Sequence, residues 1–308
     1  MIRIGSRGSQ LALWQANHIA ALLRAQGHEV AIATITTTGD RLQGVPFARV
    51  GSKGMFTKEI EEALADGAID LAVHSLKDLP TELDARFVIA AVTERVDPRD
   101  VLVSSRYDSM DALPQGAHVG TSSLRRQSQL RARWPGVDYV EFRGNVDTRL
   151  RKLSEGQVDA AVLAAAGLDR LGRTEWVRER FSADVLCPAP GQGALAIETR
   201  AADERTRAVL ASLEHAESRF SVTAERVALA ALGGGCQVPI GAYCRRDGDQ
   251  YRDGIYYRIS GCVSSPDGAT VLRAEERGAD AQELGAALAD SLLKQGALQL
   301  LAQAGATS

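Results

Sequence analysis

The sequence contains little cysteine, little lysine and no long hydrophobic run. Its four cysteines and five histidines show no CxxC, HxxxH or HExxH spacing, which argues against a metal site. The longest apolar run, Ala160 to Leu168, is far too short to cross a bilayer, and no apolar signal core follows Met1. We therefore expect a cytoplasmic protein with reduced thiols, no metal and no membrane partner.

Strong charge of one sign is also lacking. A net charge of −3 over 308 residues gives no indication of a nucleic-acid-binding or membrane-surface protein. Only five of the 36 basic residues are lysines, and residues 121–180 hold 12 Lys/Arg against 8 Asp/Glu. Local basicity made of arginine is typical of sites that bind carboxylate or phosphate groups through paired hydrogen bonds. The alternative is that these arginines lie on ordinary solvated surfaces.

Strand-like and helical patterns alternate through the first two thirds of the chain. This alternation predicts parallel α/β sheets, and a chain of this length has room for roughly two or three domains. Strands are expected at residues 3–6, 29–37, 69–74, 87–92, 101–104, 117–120, 137–142 and 158–164, and helices at residues 10–26, 55–65, 122–134 and 146–154.

A faint internal repeat indicates two related halves. Gly67-Ala68-Ile69-Asp70 resembles Gly156-Gln157-Val158-Asp159, and each follows a helical pattern. After Glu198 the pattern changes to a smaller α+β unit, with helices expected at 201–213, 217–232 and 280–304 and strands at 256–264 and 270–276. We expect domain 1 to comprise residues 1–95 and 196–213, domain 2 residues 96–195, and domain 3 residues 214–308. The ligand is expected between the first two, beyond the carboxyl ends of the strands.

Basic residues stand at predicted helix starts, where the macrodipole disfavours them unless an anion is bound. Arg7 precedes the candidate cap Ser9, and Lys53 precedes the helix expected from Met55. The remaining cases are Arg125 and Arg126 after Ser122-Ser123, and Arg143 before the candidate cap Gly144-Asn145 with Arg149 one turn later. Four such starts predict an anion-binding site, although any one of these residues alone could be a solvated surface cation.

Two further positions are candidates for chemistry. Asp78 follows Lys77 directly after a buried strand, and a carboxylate there can transfer protons or stabilise a cation formed on the substrate. The alternative is a structural Asp–Lys pair at a turn. Cys236 follows three glycines, so its thiol can be approached closely as a nucleophile or a cofactor attachment point. The alternative is an ordinary buried cysteine.

Seven segments spread along the chain share the pattern of one enzyme family. They are Ser6-Arg7-Gly8-Ser9-Gln10-Leu11-Ala12-Leu13-Trp14-Gln15, Lys53-Gly54-Met55-Phe56-Thr57-Lys58-Glu59, Ala72-Val73-His74-Ser75-Leu76-Lys77-Asp78-Leu79-Pro80, Gly120-Thr121-Ser122-Ser123-Leu124-Arg125-Arg126-Gln127, Arg143-Gly144-Asn145-Val146-Asp147-Thr148-Arg149-Leu150, Pro190-Gly191-Gln192-Gly193-Ala194, and Glu225-Arg226 through Gly234-Gly235-Cys236-Gln237-Val238-Pro239-Ile240-Gly241. These segments resemble the hydroxymethylbilane synthase family, also called porphobilinogen deaminases. The last of them is the family's most specific motif. Small departures at Ser6, Arg49 and Ser52 change no charge sign.

The resemblance implies a transferase of tetrapyrrole biosynthesis. Such an enzyme condenses four porphobilinogen molecules head to tail, loses one ammonia at each step and releases linear hydroxymethylbilane. It also implies a dipyrromethane cofactor bound through a thioether to the family cysteine, here Cys236. The implied fold is two type II periplasmic-binding-protein-like α/β domains with a central cleft, plus a smaller C-terminal α+β domain. The implied enzyme is a monomer that binds no nucleic acid.

The resemblance also assigns roles to individual residues. Asp78 would be the catalytic residue, stabilising the cation left by deamination. The expected cofactor-binding residues, besides Cys236 and Asp78, are Lys77, Ser123, Arg125, Arg126, Arg143, Gly144 and Arg149. The expected substrate-binding residues are Arg7, Ser9, Gln15, Lys53, Arg170 and Gln192. The cations suit the substrate, because each pyrrole ring carries an acetate and a propionate.

Two other functions fit the sequence less well. A carboxylate-binding solute receptor would need an export signal and would have no use for a third domain that presents a thiol. An RNA-binding protein would need aromatic residues between the arginines, but residues 121–180 contain only Trp134, Tyr139, Phe142 and Trp176.

Overall fold

The computed structural model describes residues 1–41, 57–234, 238–248 and 255–306. The strands are β1 (Ile2–Ser6), β2 (Val30–Thr34), β3 (Leu71–Ser75), β4 (Phe87–Val92), β5 (Asp100–Val103), β6 (His118–Gly120), β7 (Asp138–Val140), β8 (Ala160–Ala164), β9 (Val177–Arg180), β10 (Leu195–Arg200), β11 (Ile240–Arg246), β12 (Tyr257–Ser264) and β13 (Val271–Gly278). The helices are α1 (Gln10–Ala25), α2 (Thr38–Arg41), α3 (Lys58–Ala65), α4 (Leu124–Arg133), α5 (Val146–Ser154), α6 (Ala165–Leu171), α7 (Glu204–Leu210), α8 (Ala216–Ala231), α9 (Ala281–Lys294) and α10 (Ala297–Ala306). Short 3-10 turns lie at Leu76–Asp78, Thr174–Trp176 and Ala211–Leu213.

The chain divides into two compact units. Unit 1 comprises Met1–Val96 and Ala194–Arg219, and unit 2 comprises Asp97–Gly193 and Phe220–Ser308. The finer three-domain boundaries expected above stay a prediction.

Unit 1 contains the first sheet, whose strand order is β2-β1-β3-β10-β4. β1 runs parallel to β2 and β3, whereas β10 runs antiparallel to both of its neighbours. One face is covered by α1, which buries Ile19 and Leu23 against Ile4, Leu71 and Ile197. The other face packs against α3 through Ile60 and Leu64. These two helices complete a three-layer α/β domain.

Unit 2 contains the second sheet, whose order β7-β6-β8-β5-β9 repeats the plan of the first. β6 runs parallel to β7 and β8, and β5 runs antiparallel to β8 and β9. Leu150 and Leu153 of α5 pack on one face, and Leu130 of α4 packs on the other. The expectation of purely parallel sheets is therefore wrong for one strand in each sheet. That strand is β10 in the first sheet and β5 in the second, and each is the first strand after the chain leaves the segment of the other sheet.

Unit 2 also contains the third sheet, an antiparallel β11-β12-β13 meander. Its inner face buries Ile259 and Val263 against α8 and α9. The expected single helix at 280–304 is two helices, because Gly296 has φ +98° and separates α9 from α10. Only glycine adopts this backbone conformation without strain.

The fold class predicted from the sequence is confirmed. Two α/β domains share one strand order with a single reversed strand, and a smaller three-stranded α+β domain follows. The expected cleft stays a prediction. Within the described ranges, no helix combines the length and the hydrophobicity needed to span a bilayer.

Candidate active site

A pocket in unit 1 lies where α1 begins and β3 ends. Its volume is about 510 Å³, counting the space open to solvent. Four residues predicted to form the site line it together: Arg7, Ser9, Gln15 and Asp78. The other lining residues are Leu11, Ala12, Thr57, Ile60, Val73, His74 and Ser75. Lys53 lies outside the described residues.

The start of α1 brings hydrogen-bond donors to this pocket. Ser9 caps the helix as predicted, its Oγ accepting a hydrogen bond from the Ala12 amide at 3.3 Å. One turn further, the buried amide of Gln15 donates from Nε2 to Ser75 Oγ at 2.8 Å. This bond links α1 to the end of β3. Arg7 precedes the cap, so its cation lies at the positive end of the helix dipole, where an anion is favoured.

Asp78 is held by the 3-10 turn that ends β3. The Leu76 amide donates to the Ala194 carbonyl of the β10 side at 3.1 Å, and the Leu79 amide closes the turn onto Leu76 O at 3.1 Å. Leu76 is buried, whereas the Asp78 side chain is exposed. Among the described residues of the pocket lining, Asp78 alone carries a carboxylate. Lys77, half-buried in the same turn, is not part of that lining.

A buried acid–base pair, which sequence reasoning missed, lies beside the pocket. His74 Nε2 is 3.1 Å from Glu198 Oε2, and both side chains are buried in the first sheet. Glu61 of α3 lies close enough for its charge to interact with both of them. Burial raises the pKa of Glu61, and a hydrogen bond from Thr57 partly offsets that effect. A carboxylate within the apolar run of β10 is the sequence signal that could have found Glu198.

A cluster of cations surrounds one carboxylate in unit 2. Arg126 donates from Nε and Nη2 to Asp100 Oδ1 at 3.0 and 2.7 Å, and Arg125 Nη1 is 2.7 Å from Asp100 Oδ2. Gln192 Nε2 donates to the same Asp100 Oδ1 at 3.0 Å. All four side chains are buried. Two guanidinium groups against one carboxylate leave a local surplus of one positive charge.

Arg125 and Arg126 also bind the backbone around them. Arg125 donates to the Cys187 carbonyl at 2.6 Å, and Arg126 Nη1 donates to the Val162 carbonyl at 2.9 Å. Ser123 caps α4, as its Oγ accepts from the Arg126 amide. The assignment of these arginines to cofactor carboxylates stays a prediction.

The start of α5 has the predicted cap. Asn145 Oδ1 accepts from the Thr148 amide at 2.9 Å. Gly144 has φ +125°, and a Cβ at that position would lie 2.8 Å from Thr148 Cγ2, so glycine is required there. Arg143 pairs with Glu141, while Arg149 is half-buried one turn into the helix. Arg143, Gly144 and Arg149 are therefore brought together at one helix N-terminus.

Arg170 lies near the end of α6 and donates from Nη2 to the Gly193 carbonyl at 2.8 Å. Burial lowers the pKa of Arg170 to about 10, which still leaves it charged at neutral pH. A desolvated cation of this kind favours a nearby anion. Arg170 thus binds the Gly191-Gln192-Gly193 turn, and the Gln192 side chain extends from the same turn.

Cys236 lies outside the described residues. The chain leading to it leaves α8 through Gly233, which has φ +69°. The thiols of Cys187, Cys244 and Cys262 are all buried, and none of them lines the unit 1 pocket. Among the described residues, no group of three or more His, Cys, Asp and Glu side chains could hold a metal ion.

Two family models cover most of the chain. Residues 2–208 match the model described as porphobilinogen deaminase, dipyromethane cofactor binding domain. Residues 219–294 match the model described as porphobilinogen deaminase, C-terminal domain.

Solved structures of binding proteins are similar to part of the chain at low identity. A putative methionine-binding lipoprotein from Bacillus subtilis is 15% identical, with 70% of this chain and 90% of that chain covered and a TM-score of 0.43. A periplasmic substrate-binding protein of an ABC transporter from Coxiella burnetii is 16% identical, with coverages of 73% and 97% and a TM-score of 0.43. A nutrient binding protein from Burkholderia cenocepacia bound to methionine is 15% identical, with coverages of 71% and 93% and a TM-score of 0.43. Likeness at this level carries no conclusion about ligand or activity.

Proposed function

The chain belongs to the porphobilinogen deaminase family, and on that premise we propose how its own residues carry out the family's reaction. The activity is that of a hydroxymethylbilane synthase, a transferase that condenses four porphobilinogen molecules with loss of ammonia in tetrapyrrole biosynthesis. Its cofactor is dipyrromethane. When bound, this group supplies the two-pyrrole anchor on which the product chain is extended.

The donor set of the unit 1 pocket fits such a group. Each pyrrole ring brings two carboxylates and one N–H. The pocket offers a guanidinium at Arg7, a capped helix N-terminus at Ser9 and one carboxylate at Asp78. Cations and helix amides suit the ring carboxylates, while an acceptor oxygen suits the ring N–H. The proposal rests on the presence of this cation, this helix N-terminus and this carboxylate in one pocket.

Asp78 is proposed as the catalytic residue. Its carboxylate accepts a hydrogen bond from the pyrrole N–H of a bound substrate and stabilises the positive charge that develops when ammonia leaves. The 3-10 turn fixes its backbone while leaving the side chain exposed to the pocket. A preorganised charge of this kind is worth most in the transition state, because no reorganisation is needed when the substrate's charge appears.

The cations are proposed to bind ring carboxylates. In unit 1 this role falls to Arg7, with Ser9 and Gln15 as hydrogen-bonding supports, and to Lys53 and Lys77. In unit 2 it falls to Arg125, Arg126, Arg143, Arg149 and Arg170, with Ser123, Gly144 and Gln192 shaping their surroundings. The surplus positive charge around Asp100 supports the role of Arg125 and Arg126. The lowered pKa of Arg170 likewise supports an anionic partner.

Attachment, assembly and location are also proposed. Cys236 is proposed to bind dipyrromethane through a thioether, with domain 3 (residues 214–308) as its carrier. The proposed boundaries for domains 1 and 2 are those expected from the sequence. The enzyme is further proposed to act as a cytoplasmic monomer on porphobilinogen, without a nucleic-acid or membrane partner.

Intact mass of the denatured protein, beside a Cys236→Ser variant, tests the proposal. The wild type should exceed its sequence mass by a two-pyrrole adduct that the variant lacks. A wild type without the adduct is incubated with porphobilinogen, and gain of the mass marks an apoenzyme. If it still gains nothing, or if the Cys236→Ser variant carries the same adduct, the proposed attachment is wrong.

A further inference from the structure

A buried carboxylate of α8 binds the Gly191-Gln192-Gly193 turn to the third sheet. Glu225 Oε2 accepts from the Gly191 amide and Oε1 accepts from the Cys244 amide, each at 2.7 Å. Glu225 is fully buried. A third bond, from the Ala242 amide to the Pro188 carbonyl at 3.0 Å, lies beside these two. Hydrogen bonds from amides to an ionised acceptor are stronger than neutral ones, particularly away from water.

The turn that Glu225 binds also reaches the cations of unit 2. Gln192 donates to the Pro98 carbonyl at 2.6 Å and to Asp100, which holds Arg125 and Arg126. Its next residue, Gly193, accepts from Arg170. Gly191 and Gly193 have φ +76° and +92°, so this turn has a conformation that other residues adopt only with strain. Three successive residues therefore connect α8 to β5, α4 and α6.

The helix that carries Glu225 continues to the glycines before Cys236. α8 ends at Ala231, so Glu225 lies less than two turns from its C-terminal end. The position of this end relative to the arginines is set by the contacts along α8. Among these contacts is the bond from the Gly191 amide to the Glu225 carboxylate, which reaches the turn holding Gln192.

We propose that Glu225 is a positioning residue for cofactor acquisition. Its carboxylate fixes α8 and β11 to the Gly191-Gln192-Gly193 turn, and through that turn sets the distance between the cofactor-bearing domain and the cations that receive the cofactor's carboxylates. Glu225 itself touches no cofactor atom in this role. The inference rests on the proposed attachment at Cys236 and the proposed roles of Arg125, Arg126 and Arg170.

The test compares four apoenzymes: wild type, Glu225→Gln, Glu225→Asp and Leu292→Ala. Glu225→Gln keeps the shape but replaces one acceptor oxygen with an amide that cannot accept. Glu225→Asp keeps the charge but is one methylene too short to reach both amides. Leu292 is buried in the core of the third sheet, so its truncation destabilises the same domain without touching the turn. Thermal melting places the variants on a common stability scale.

Two readouts are followed. The first is the rate at which apoenzyme gains the two-pyrrole mass from porphobilinogen, which we expect to fall at least tenfold in Glu225→Gln and by less than twofold in Leu292→Ala. The second needs no cofactor: hydrogen exchange of the Gly191 and Cys244 amides should become at least tenfold faster in Glu225→Gln, beyond any increase in Leu292→Ala. Glu225→Asp should be intermediate in both readouts.

The outcomes separate this inference from the proposed function. The positioning role is supported if Glu225→Gln gains the cofactor slowly and exchanges the two amides quickly. Leu292→Ala must melt at the same temperature and still gain the cofactor at the normal rate. The positioning role is wrong if Glu225→Gln and Leu292→Ala have equal stability and gain the cofactor equally slowly. It is also wrong if Glu225→Gln gains the cofactor at the wild-type rate. If the wild type gains no adduct at Cys236, the proposed attachment fails, and with it the role in acquisition. The exchange data then still show whether Glu225 holds the turn. Should Glu225→Gln not fold, Glu225→Asp against Leu292→Ala decides by the same criteria.

Discussion

The first and second sheets share a backbone plan but carry opposite chemistry. In the first, Ile4 pairs with Leu71 and Gly5 with Ala72; in the second, Val119 pairs with Ala160 and Gly120 with Ala161. These pairs join the strands that are second and third in the strand order of each sheet. The faint repeat in the sequence therefore corresponds to a repeat in the structure.

The repeated aspartates have the same task in both sheets. Asp70 Oδ2 accepts from the Arg3 amide at 2.8 Å, and Asp159 Oδ2 accepts from the His118 amide at 2.9 Å. Each follows a glycine with positive φ, Gly67 or Gly156, which ends the preceding helix. The repeated residues thus serve the helix-to-strand connection rather than catalysis.

The two sheets differ where the third strand ends. β3 continues into the turn that exposes Asp78 to a pocket, whereas β8 continues directly into α6, which carries Arg170. Their reversed strands differ as well. β10 buries Glu198 against a histidine, and β5 buries Asp100 against two arginines. The same strand plan therefore presents a carboxylate to a pocket in one sheet and a surplus of cations around a buried carboxylate in the other.

The largest expected effect is on the acidic side of this comparison. Asp78→Ala should fold normally but lose turnover by about 100-fold or more, because charge stabilisation and proton transfer are typically worth 10²–10⁴. Porphobilinogen consumption by the cofactor-loaded enzyme measures it. Asp84→Ala, an exposed aspartate of the same unit paired with Arg86, is the matched control and should keep activity within about twofold. Asp78→Ala activity within about threefold of wild type would remove Asp78 from the chemistry.

The next effect compares the two buried carboxylates. Asp100→Asn leaves two buried guanidinium groups without their counter-charge and should cost about 3–5 kcal/mol in the free energy of unfolding. Glu198→Gln keeps a hydrogen-bonding group beside His74 and should cost about 1–2 kcal/mol. Urea unfolding of the apoenzymes gives both values. An equal cost for the two variants would mean that the surplus charge around Asp100 has no energetic consequence.

The third effect is on cofactor assembly. Arg149→Leu removes a cation from the start of α5 and should slow cofactor acquisition or chain extension by about tenfold, equivalent to ~1.4 kcal/mol. Arg151→Leu changes an exposed arginine of the same helix, paired with Glu155, and should have no effect on either rate. Quantifying the adduct by mass and the product per turnover separates the two steps. Full cofactor and an unchanged product rate in Arg149→Leu would exclude it from the site.

The smallest effect tests the equivalence of the repeat. Asp70→Asn and Asp159→Asn should each cost about 1 kcal/mol, within ~0.5 kcal/mol of one another, since each weakens a bond to a strand amide and the pairing with one arginine, Arg3 or Arg106. Urea unfolding at pH 7 measures both. If the two costs differ by more than ~2 kcal/mol, the repeated aspartates do not contribute equally to stability, although their sequences and positions correspond.

Asp70 adds a pH dependence to that test. Burial opposes its ionisation, but hydrogen bonds from the side chain and amide of Arg3 outweigh burial and lower the pKa of Asp70. A lowered folded-state pKa means that the stabilisation is complete above the unfolded value of about 3.9 and is lost as the pH falls through the folded value. The difference between wild type and Asp70→Asn should therefore be constant from pH 5 to 7 and shrink below pH 4.

Much of the fold could be predicted from local signals. β4 and α5 have the predicted bounds because turn or cap residues border each of them, as Asn145 does before α5. β9 and α6 were missed. The charged sequence of β9 does not resemble a strand, and α6 follows β8 without a polar break inside the apolar run from Ala160 to Leu168.

The candidate site was predicted less completely than the fold. Helix caps and the turn after β3 have local signatures, so Ser9, Asn145 and Asp78 could be found from the sequence. The partners of buried charges could not, because Asp100 and Arg126 meet across 26 positions and His74 and Glu198 across 124. Such pairs depend on strand order, which alternation of strands and helices alone does not fix.

The reversed strand of the first sheet has a consequence for synthesis on the ribosome. β10 lies between β3 and β4 in the sheet, and its Ile197 pairs with Val73 of β3. A nascent chain that has emerged only to Gly193 therefore contains β3 and β4 but lacks the strand that joins them. The strands of the second sheet, from β5 to β9, are by then all made. Unit 2's sheet can therefore form during translation, while unit 1 presents two unpaired edges, which favour aggregation and chaperone binding. Protease resistance of two stalled chains, one from which residue 200 has emerged and one from which it has not, would show this order directly.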